Sequence, residues 1–407
     1  MGAPVAERPR FSLRSLVIPV YLPTLLFAFG EGMTLPVLPL YAQALGASLA
    51  LVGATVTVRG VGALASDIPA GVMVNRFGGR ATMLVSAGLA ASSALAIAFA
   101  AHTWQLVALM FVFGAGWSMW LVSRLAFVAE TVPLEYRGRA LSLVGGVNRV
   151  GVFVGPIAGG FLAERFGFEA AFVGQAGAAA VAGAAVLLRR EASAQPVRSG
   201  ARVHARLART LADFRYQFLT AGTVALILTF VREARQLLLP LWGDHVGLGV
   251  GAIGLVMGLS SAIDMTLFVP VGYVMDRWGR KWTVVPSLLL LGASLALLPL
   301  ADGFSALLLV GLLSGIGNGL GSGAVMTLGS DLAPRAGSGE FLGLWRFLTD
   351  LGRVAGPTIV GGTAQGLALG SAALLSGGFA FVGALVMLLF VTETLQRRGS
   401  VTDPELR

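Results

Sequence analysis

The chain of 407 residues is 56% hydrophobic and only 12% charged. Soluble domains contain roughly a quarter charged residues, so this composition excludes a water-soluble fold. Cysteine is absent, which excludes disulfides and thiolate metal sites, and the three histidines make a histidine metal site improbable.

Apolar runs of about 20 residues or more repeat along the chain, each long enough to cross a hydrocarbon core of roughly 30 Å. The sequence predicts twelve spans, near residues 15–43, 50–74, 81–101, 105–131, 139–163, 169–188, 216–243, 250–274, 282–301, 305–331, 340–366 and 370–392. We therefore predict an all-α membrane protein with two six-helix bundles. Residues 1–188 form the first bundle, 189–213 a polar cytoplasmic linker, and 214–407 the second bundle with a short tail.

The positions of the 29 basic residues account for the net charge of +9. Arginines concentrate in alternate loops, in the linker and at both ends, whereas the other loops hold Arg165 alone. By the positive-inside rule the arginine-rich loops face the cytoplasm, and an even number of spans places both termini there. The sequence thus predicts a multi-pass protein of the cell (inner) membrane in contact with lipid, and the charge does not require a nucleic-acid partner.

Two loop motifs lie 201 residues apart, because 272 − 71 = 201. The first follows the second span and the second follows the eighth, and they read Gly71-Val-Met-Val-Asn75-Arg76-Phe-Gly78-Gly79-Arg80 and Gly272-Tyr-Val-Met-Asp276-Arg277-Trp-Gly279-Arg280-Lys281. The same offset relates Gly155-Pro156 to Gly356-Pro357. One offset across separated segments indicates a duplicated unit and two pseudo-symmetric halves.

These motifs resemble the GxxxDRxGRK signature of the major facilitator superfamily of secondary transporters, and the resemblance covers the whole chain. The second copy is complete, whereas the first has Asn75 in place of the acid and Gly79 in place of a base. The resemblance implies twelve helices around a central cavity lined by the first, fourth, seventh and tenth spans. It also implies that the loop motifs brace one conformational state.

Within the superfamily, the chain is most similar to the twelve-span drug:proton antiporters. Gly30 followed by Pro36-Val-Leu-Pro39 matches the first-span motif of that branch, and the fifth span matches its antiporter motif, whereas the fourth-span motif is met only at Arg124. Small residues of this kind let helices approach closely in lipid. The predicted helix-packing residues are Gly151, Gly155, Pro156, Gly159, Gly352, Gly356 and Pro357.

Charged residues inside the spans are the main functional signal, since each costs at least about 2.5 kcal/mol at the bilayer centre and should face a partner or water. Glu31 lies midway along the first span, five residues before Pro36. A carboxylate in a partly dry cavity can bind a proton on one side and release it on the other. The alternative for Glu31 is a permanent salt bridge to Arg232 or Arg124. The candidates for proton coupling are Glu31, Asp264 and Glu233.

The candidates for contact with the substrate lie on the spans that the resemblance places around the cavity, and they are Glu31, Trp117, Arg124, Arg232, Arg235, Gln236 and Asn318. A gate or an interhelical ion pair is the alternative for Arg232 and Glu233, and packing is the alternative for the aromatic residues. A structural charge network is the interpretation for Asp67, Arg149, Arg346, Asp350 and Arg353.

The function that these observations favour is export of a small amphipathic substrate by a monomeric, proton-coupled antiporter that uses no cofactor. The sequence contains no GxxxxGK[ST] loop for ATP and no nucleophile–base constellation, so an ATP-driven pump and an enzyme are not predicted. Two alternatives stay open. One is a carrier or flippase for an anionic metabolite or lipid, favoured by the seven arginines within spans, and the other is a non-transporting sensor on the same fold.

Overall fold

The structure, a computed structural model, describes residues 12–188, 210–334 and 338–395, so most of the predicted linker lies outside the described residues. The first half begins with a 3-10 turn (Leu13–Leu16) and a π-helical turn (Val17–Tyr21). Its helices are α1 (Leu22–Thr34), α2 (Val37–Ala44), α3 (Leu49–Ala98), α4 (Thr103–Thr131), α5 (Leu134–Phe166) and α6 (Phe168–Leu187). The break between α1 and α2 falls at Leu35 and Pro36, because proline has no N–H to continue the helical ladder.

The second half repeats this arrangement in a modified form. A helical turn (Arg215–Gln217) and a π-helical turn (Phe218–Gly222) precede α7. The helices that follow are α7 (Thr223–His245), α8 (Val250–Trp278), α9 (Lys281–Leu297) with a 3-10 turn (Leu298–Leu300), α10 (Phe304–Leu320), α11 (Ala324–Leu332), α12 (Ser338–Gly366) and α13 (Leu369–Leu389).

Among the described residues, nine helical segments are long and apolar enough to cross a membrane. One of them, α3, has 50 residues and is interrupted by the non-helical backbone of Gly78, so it supplies two crossings. Helices α7 and α12 are long enough but contain the predicted clusters of intramembrane charge. With α3 counted twice and these two helices added, the predicted twelve-helix architecture is confirmed.

The surface of these helices suits contact with lipid. Ile68, Phe99 and Met326 are 80%, 78% and 79% exposed, and many other large apolar side chains are exposed as well. A soluble protein rarely exposes contiguous apolar surface on this scale. The chain is a multi-pass membrane protein.

The loop motifs bend the backbone at the same glycine in each copy. Gly78 has φ +83° and Gly279 has φ +112°, a region that side-chain-bearing residues rarely adopt. Gly46 and Gly247, with φ +82° and +76°, form a second such pair, and 247 − 46 = 201. The duplication is therefore visible in the backbone as well as in the sequence.

The chain divides into two compact units, one of residues up to 37 with 61–198 and one of residues 38–60 with those from 199 on. In the first unit, α5 packs on α1 through glycines. A Cβ atom added to Gly155 would lie 2.7 Å from the Cα of Gly32, and one on Gly151 would lie 2.7 Å from the Cβ of Ala28. Close backbone approach replaces side-chain interdigitation at this crossing.

The second unit uses the same kind of contact between α7 and α12. A Cβ atom on Gly356 would lie 2.8 Å from the carbonyl oxygen of Phe230, and Gly352 packs against Leu226. The first residues of α3, which belong to this unit, pack on α12, where the hydroxyls of Thr57 and Thr358 are 2.8 Å apart. Neighbouring helices thus approach closely enough for polar side chains to form hydrogen bonds between them.

Candidate functional site

Glu31 lies in the last turn and a half of α1, just before the break at Pro36, and its side chain is half-buried. The indole Nε1–H of Trp117, on α4, donates a hydrogen bond of 2.8 Å to Oε2 of Glu31. Two residues that the sequence singled out separately are thus brought together by the packing of α1 and α4.

Arg124 lies two turns after Trp117 on α4 and is 7% exposed. Its Nη1 donates to the hydroxyl of Thr24 across 3.5 Å, whereas its Nε is buried without a hydrogen-bond partner among the described residues. Between these two positions, Trp120 stacks on Phe27 with ring centroids 4.6 Å apart. The first unit therefore has a wall of aromatic rings with a carboxylate and a guanidinium.

Asp67 accepts a hydrogen bond from the hydroxyl of Ser118, which joins α3 to α4. Arg149 is half-buried on α5. The bond links two helices, and the structural role of Asp67 stays a prediction.

The second unit has its polar cluster on α7. Nη2 of Arg232 donates to the backbone carbonyl of Asn318 on α10 at 3.2 Å. Nη1 of Arg235 donates to the hydroxyls of Ser260 on α8 and Ser314 on α10, at 3.1 and 3.2 Å. The side chain of Gln236 is half-buried. The arginines of α7 thus contact α8 and α10.

Asp264 lies one turn after Ser260 on α8, and it accepts a hydrogen bond of 3.4 Å from the hydroxyl of Ser322. Glu233 points in a different direction from Arg235 and forms an ion pair with Arg353 of α12 at 3.5 Å. Of the three carboxylates considered for proton coupling, Glu31 accepts from an indole, Asp264 accepts from a hydroxyl, and Glu233 pairs with a guanidinium.

The charges of α12 form a chain of ion pairs. Asp350 is 2.9 Å from Arg353 and 3.6 Å from Arg346, and Arg353 also reaches Glu233. Asp350 thus joins Arg346 and Arg353 on α12, and Arg353 links this helix to Glu233 on α7.

The two loop motifs make different contacts. In the first copy, Asn75 and Arg76 are exposed, and Arg80 donates to the backbone carbonyls of Val186 and Leu187 at the end of α6, at 3.2 and 2.8 Å. These bonds satisfy carbonyls that have no partner within their own helix. Arg80 therefore joins the loop motif to α6.

In the second copy, Arg280 forms an ion pair of 2.8 Å with Asp331 and a longer one of 3.8 Å with Asp276. Arg277 is exposed, and its Nη1 donates to the hydroxyl of Tyr273 at 2.6 Å. The complete motif therefore braces α8 against α11 of its own unit.

Sequence reasoning missed the residues after α13 that contact the second loop motif. A carboxylate oxygen of Glu393 accepts from the backbone N–H of Arg280 at 2.8 Å, the other accepts from that of Lys281 at 3.0 Å, and Thr394 donates to Asp331 at 2.7 Å. Burial raises the pKa of the Glu393 carboxyl, but the hydrogen bonds from backbone N–H groups outweigh this effect and hold the pKa below its usual range. The feature of the sequence that could have indicated this contact is an acidic residue directly after the last apolar run.

The described residues contain no group of three or more His, Cys, Asp or Glu side chains that could hold a metal ion. Ser314 and Thr24, which contact the buried arginines, were also missed. Hydroxyls in spans usually bond to their own helix, as Ser314 does to the carbonyl of Gly311 at 2.8 Å, so nothing in the sequence distinguishes these two.

The sequence profile of the Major Facilitator Superfamily matches residues 20–242 and again residues 221–405, which together exceed half of the chain. The chain belongs to the Major Facilitator Superfamily. The resemblance seen in the loop motifs is confirmed, and so is the prediction that the chain belongs to a transporter family rather than an enzyme family.

Two proteins named for drug resistance or efflux are similar to this chain at low identity. It is 28% identical over 163 residues to the multidrug resistance protein MdtG of Proteus mirabilis, and the match covers 39% of this chain and 40% of that protein. The match therefore spans less than half of that relative's length. Identity to the multi-drug resistance efflux pump PmrA homolog of Lactococcus lactis is 24% over 390 residues, which covers 90% of this chain and 92% of that protein.

A crystal structure of a POT family transporter in complex with a thioalcohol-conjugated peptide superposes with a TM-score of 0.75 and 14% identity. The superposition covers 93% of this chain and 96% of that one. At this identity the similarity shows that the two chains share a fold.

Proposed function

We propose that the protein is a secondary transporter that exports a small amphipathic molecule in exchange for protons. The observation that carries this proposal is the half-buried carboxylate of Glu31, fixed at 2.8 Å by Trp117 within an aromatic wall. An ionisable residue inside a membrane is by default a functional residue, because its position costs folding free energy. Two relatives named for drug resistance or efflux support export.

In this mechanism Glu31 alternates between protonated and ionised forms. The ionised carboxylate, oriented by the indole N–H, attracts the polar or cationic end of the cargo, while the rings of Trp117 and Trp120 contact its apolar part. Protonation removes the negative charge and releases the cargo. Arg124 supplies a positive charge on α4, the helix of Trp117 and Trp120. The negative charge of Glu31 acts on this guanidinium.

Access alternates between the two membrane faces as the bundles change their arrangement, the general mechanism of carriers built from internal repeats. We further propose that the protein is a monomer of the cell (inner) membrane with both termini in the cytoplasm, in contact with lipid, cargo and protons. The distribution of arginine supports this orientation.

The test is transport by the purified protein in lipid vesicles, with a pH step and an amphipathic fluorescent cation such as ethidium. We expect the Glu31→Gln variant to lose at least about tenfold in initial rate of transport, because a glutamine amide does not ionise at neutral pH. Glu164→Gln is the matched control, since Glu164 is exposed at the end of α5. A Glu31→Gln rate equal to that of the wild type would overturn the proposal.

A carrier for an anionic metabolite or lipid is the second candidate. It is favoured by Arg124, which is buried and has no carboxylate within 4.0 Å among the described residues. With a fluorescent carboxylate in the same vesicles, an anion carrier should lose transport first in Arg124→Gln or Arg232→Gln, while Glu31→Gln keeps it. A sensor that does not transport would give no flux with either dye under any gradient.

A further inference from the structure

Arg235 is the most deeply placed cation of the second unit. Its side chain extends from α7 between α8 and α10 and is 8% exposed, and its two partners, Ser260 and Ser314, are each 1% exposed. Only Nη1 is used, because that single nitrogen donates to both hydroxyls, at 3.1 and 3.2 Å. A guanidinium has five N–H donors, so three remain.

Two of the three remaining donors, on Nε and Nη2, lie on one edge of the guanidinium. Nε is buried without a hydrogen-bond partner, and Nη2 makes no hydrogen bond within the described part of the chain. The N–H bonds of Nε and of one Nη2 hydrogen are parallel, which is the edge that binds the two oxygens of a carboxylate at once. The unused donors of Arg235 therefore have the geometry for planar, bidentate recognition.

The positive charge of Arg235 is not neutralised by direct contact. No carboxylate of the described residues lies within 4.0 Å of it, and the acids whose charges act on it are Asp264 and Glu233. Glu233 is held by Arg353 at 3.5 Å, and Asp264 contacts Ser322. A buried cation with hydroxyl partners alone is costly, so an external anion would relieve a real penalty at this position.

The hydroxyls hold the guanidinium in place. Ser314 donates its proton to the carbonyl of Gly311 at 2.8 Å and so can only accept from Arg235. Ser260 lies 3.4 Å from Ser314, and both hydroxyls contact Nη1, on the side of the guanidinium opposite the free edge. That edge offers two parallel donors and a single positive charge, which suits a monoanion with two oxygens better than a doubly charged phosphate.

We propose that the free edge of Arg235 is a carboxylate-binding site inside the second unit, and that its ligand is a molecule with a carboxylate group. This inference goes beyond the proposed function and does not rest on it, because the cargo proposed there binds to Glu31 through a polar or cationic end. Nε is closed to water in this conformation, so the carboxylate enters when α7 moves away from α8 or α10.

The experiment measures the thermal unfolding midpoint of the full chain in detergent at pH 7, titrated with sodium benzoate at constant ionic strength, with sodium chloride as the spherical anion of equal charge. The wild type should show a saturable rise with benzoate and a much weaker one with chloride. Arg235→Gln should weaken benzoate binding by about tenfold or more, since a bidentate, charge-assisted contact is lost.

Arg235→Lys separates recognition from folding, because it keeps the charge and the aliphatic stem but has no two-pronged edge. We expect this variant to fold and to lose the preference for benzoate over chloride. Arg346→Gln is the matched control, since the Arg346 side chain is 49% exposed and ion-paired, and it should bind benzoate like the wild type.

Equal benzoate binding by the wild type and Arg235→Gln, or no saturable binding to the wild type, would overturn the proposal. Binding to the wild type with no preference over chloride would reduce the site to a general anion site and would also overturn the carboxylate assignment. The binding measurement needs no gradient. Its outcome is therefore independent of the result of the vesicle assay of cation export.

Discussion

The hydrogen bond from Trp117 to Glu31 has a close internal comparison on the same helix. Both indoles belong to α4, three residues apart, yet the N–H of Trp117 donates to a carboxylate at 2.8 Å while the N–H of Trp120 is buried without an acceptor among the described residues. A hydrogen bond to a charged group contributes about 1.5–3 kcal/mol, whereas a buried donor without a partner is a penalty.

We therefore predict results of different size for two identical substitutions. Both changes remove one ring, but Trp117→Phe should lower the free energy of unfolding by about 1.5–3 kcal/mol more, because the donor to Glu31 is lost. Trp120→Phe loses only ring volume from a buried position, and an unpaired donor disappears with it. Thermal unfolding of both variants in detergent checks this, and equal losses would contradict the assigned hydrogen bond.

At the scale of residues, the sequence identified charged and aromatic side chains well but not their partners. Glu31, Trp117 and Arg235 stand out because charge and indole are conspicuous in apolar spans. Ser314 does not, because a serine in a span is ordinary. Which hydroxyl faces a buried arginine depends on how α7, α8 and α10 pack, and no local pattern encodes that.

At the scale of elements, the crossing of α5 over α1 depends on glycine. We predict that Gly155→Ala destabilises the protein by about 1–3 kcal/mol, because the new Cβ would lie 2.6 Å from the carbonyl oxygen of Phe29 and the helices would have to separate. Gly145→Ala, on the same helix with nothing within 4 Å, should be neutral or stabilising by up to about 1 kcal/mol. Unfolding midpoints of the two variants make the comparison.

Equal unfolding midpoints for the two alanine variants would show that close backbone contact between α5 and α1 does not control the stability of this crossing. The glycine spacing alone predicted tight packing of the fifth span. In the structure, α5 approaches the backbone of α1 closely at Gly151 and Gly155. The partner helix was not predictable, because a stripe of small residues does not specify which helix it meets.

The residues after α13 contribute a pH-dependent contact. The folded-state pKa of Glu393 is lowered, so its stabilising contribution is present above the unfolded pKa of about 4.5 and is lost as pH falls through the lower folded pKa. We predict that Glu393→Gln lowers the unfolding midpoint at pH 7 and that the difference from the wild type shrinks below about pH 4.

Asp276→Asn serves as the control for this titration. Asp276 is 81% exposed and lies 3.8 Å from Arg280, so its removal should change the midpoint little at any pH. A Glu393→Gln difference that stayed constant from pH 7 to pH 3 would contradict the role of the carboxylate charge.

At the scale of the whole molecule, the duplication preserved the backbone and let the chemistry diverge. The bends at Gly46 and Gly247, and at Gly78 and Gly279, keep the offset of 201 residues. Glu31, however, corresponds to Arg232, since 232 − 31 = 201, and Arg235 corresponds to Thr34. The backbone bends therefore repeat between the halves, whereas the ionisable residues differ.

Fold and family were predictable from the sequence because they depend on span length, loop charge and a repeated motif, all of which are local signals. The prediction of twelve spans succeeded even for α7 and α12, whose charged residues make these segments less apolar than the other spans. The contact of Glu393 with the second loop motif was not predictable, because it joins residues more than a hundred positions apart through backbone N–H groups.

The central claim is that Glu31 exchanges a proton for cargo, and proton release on binding tests it most directly. A dye that the wild type transports is added to purified protein in weakly buffered detergent solution, and the pH change is recorded. The account predicts proton release from the wild type and from Glu164→Gln, and none from Glu31→Gln, with dye binding measured in parallel. Equal release from wild type and Glu31→Gln would contradict it.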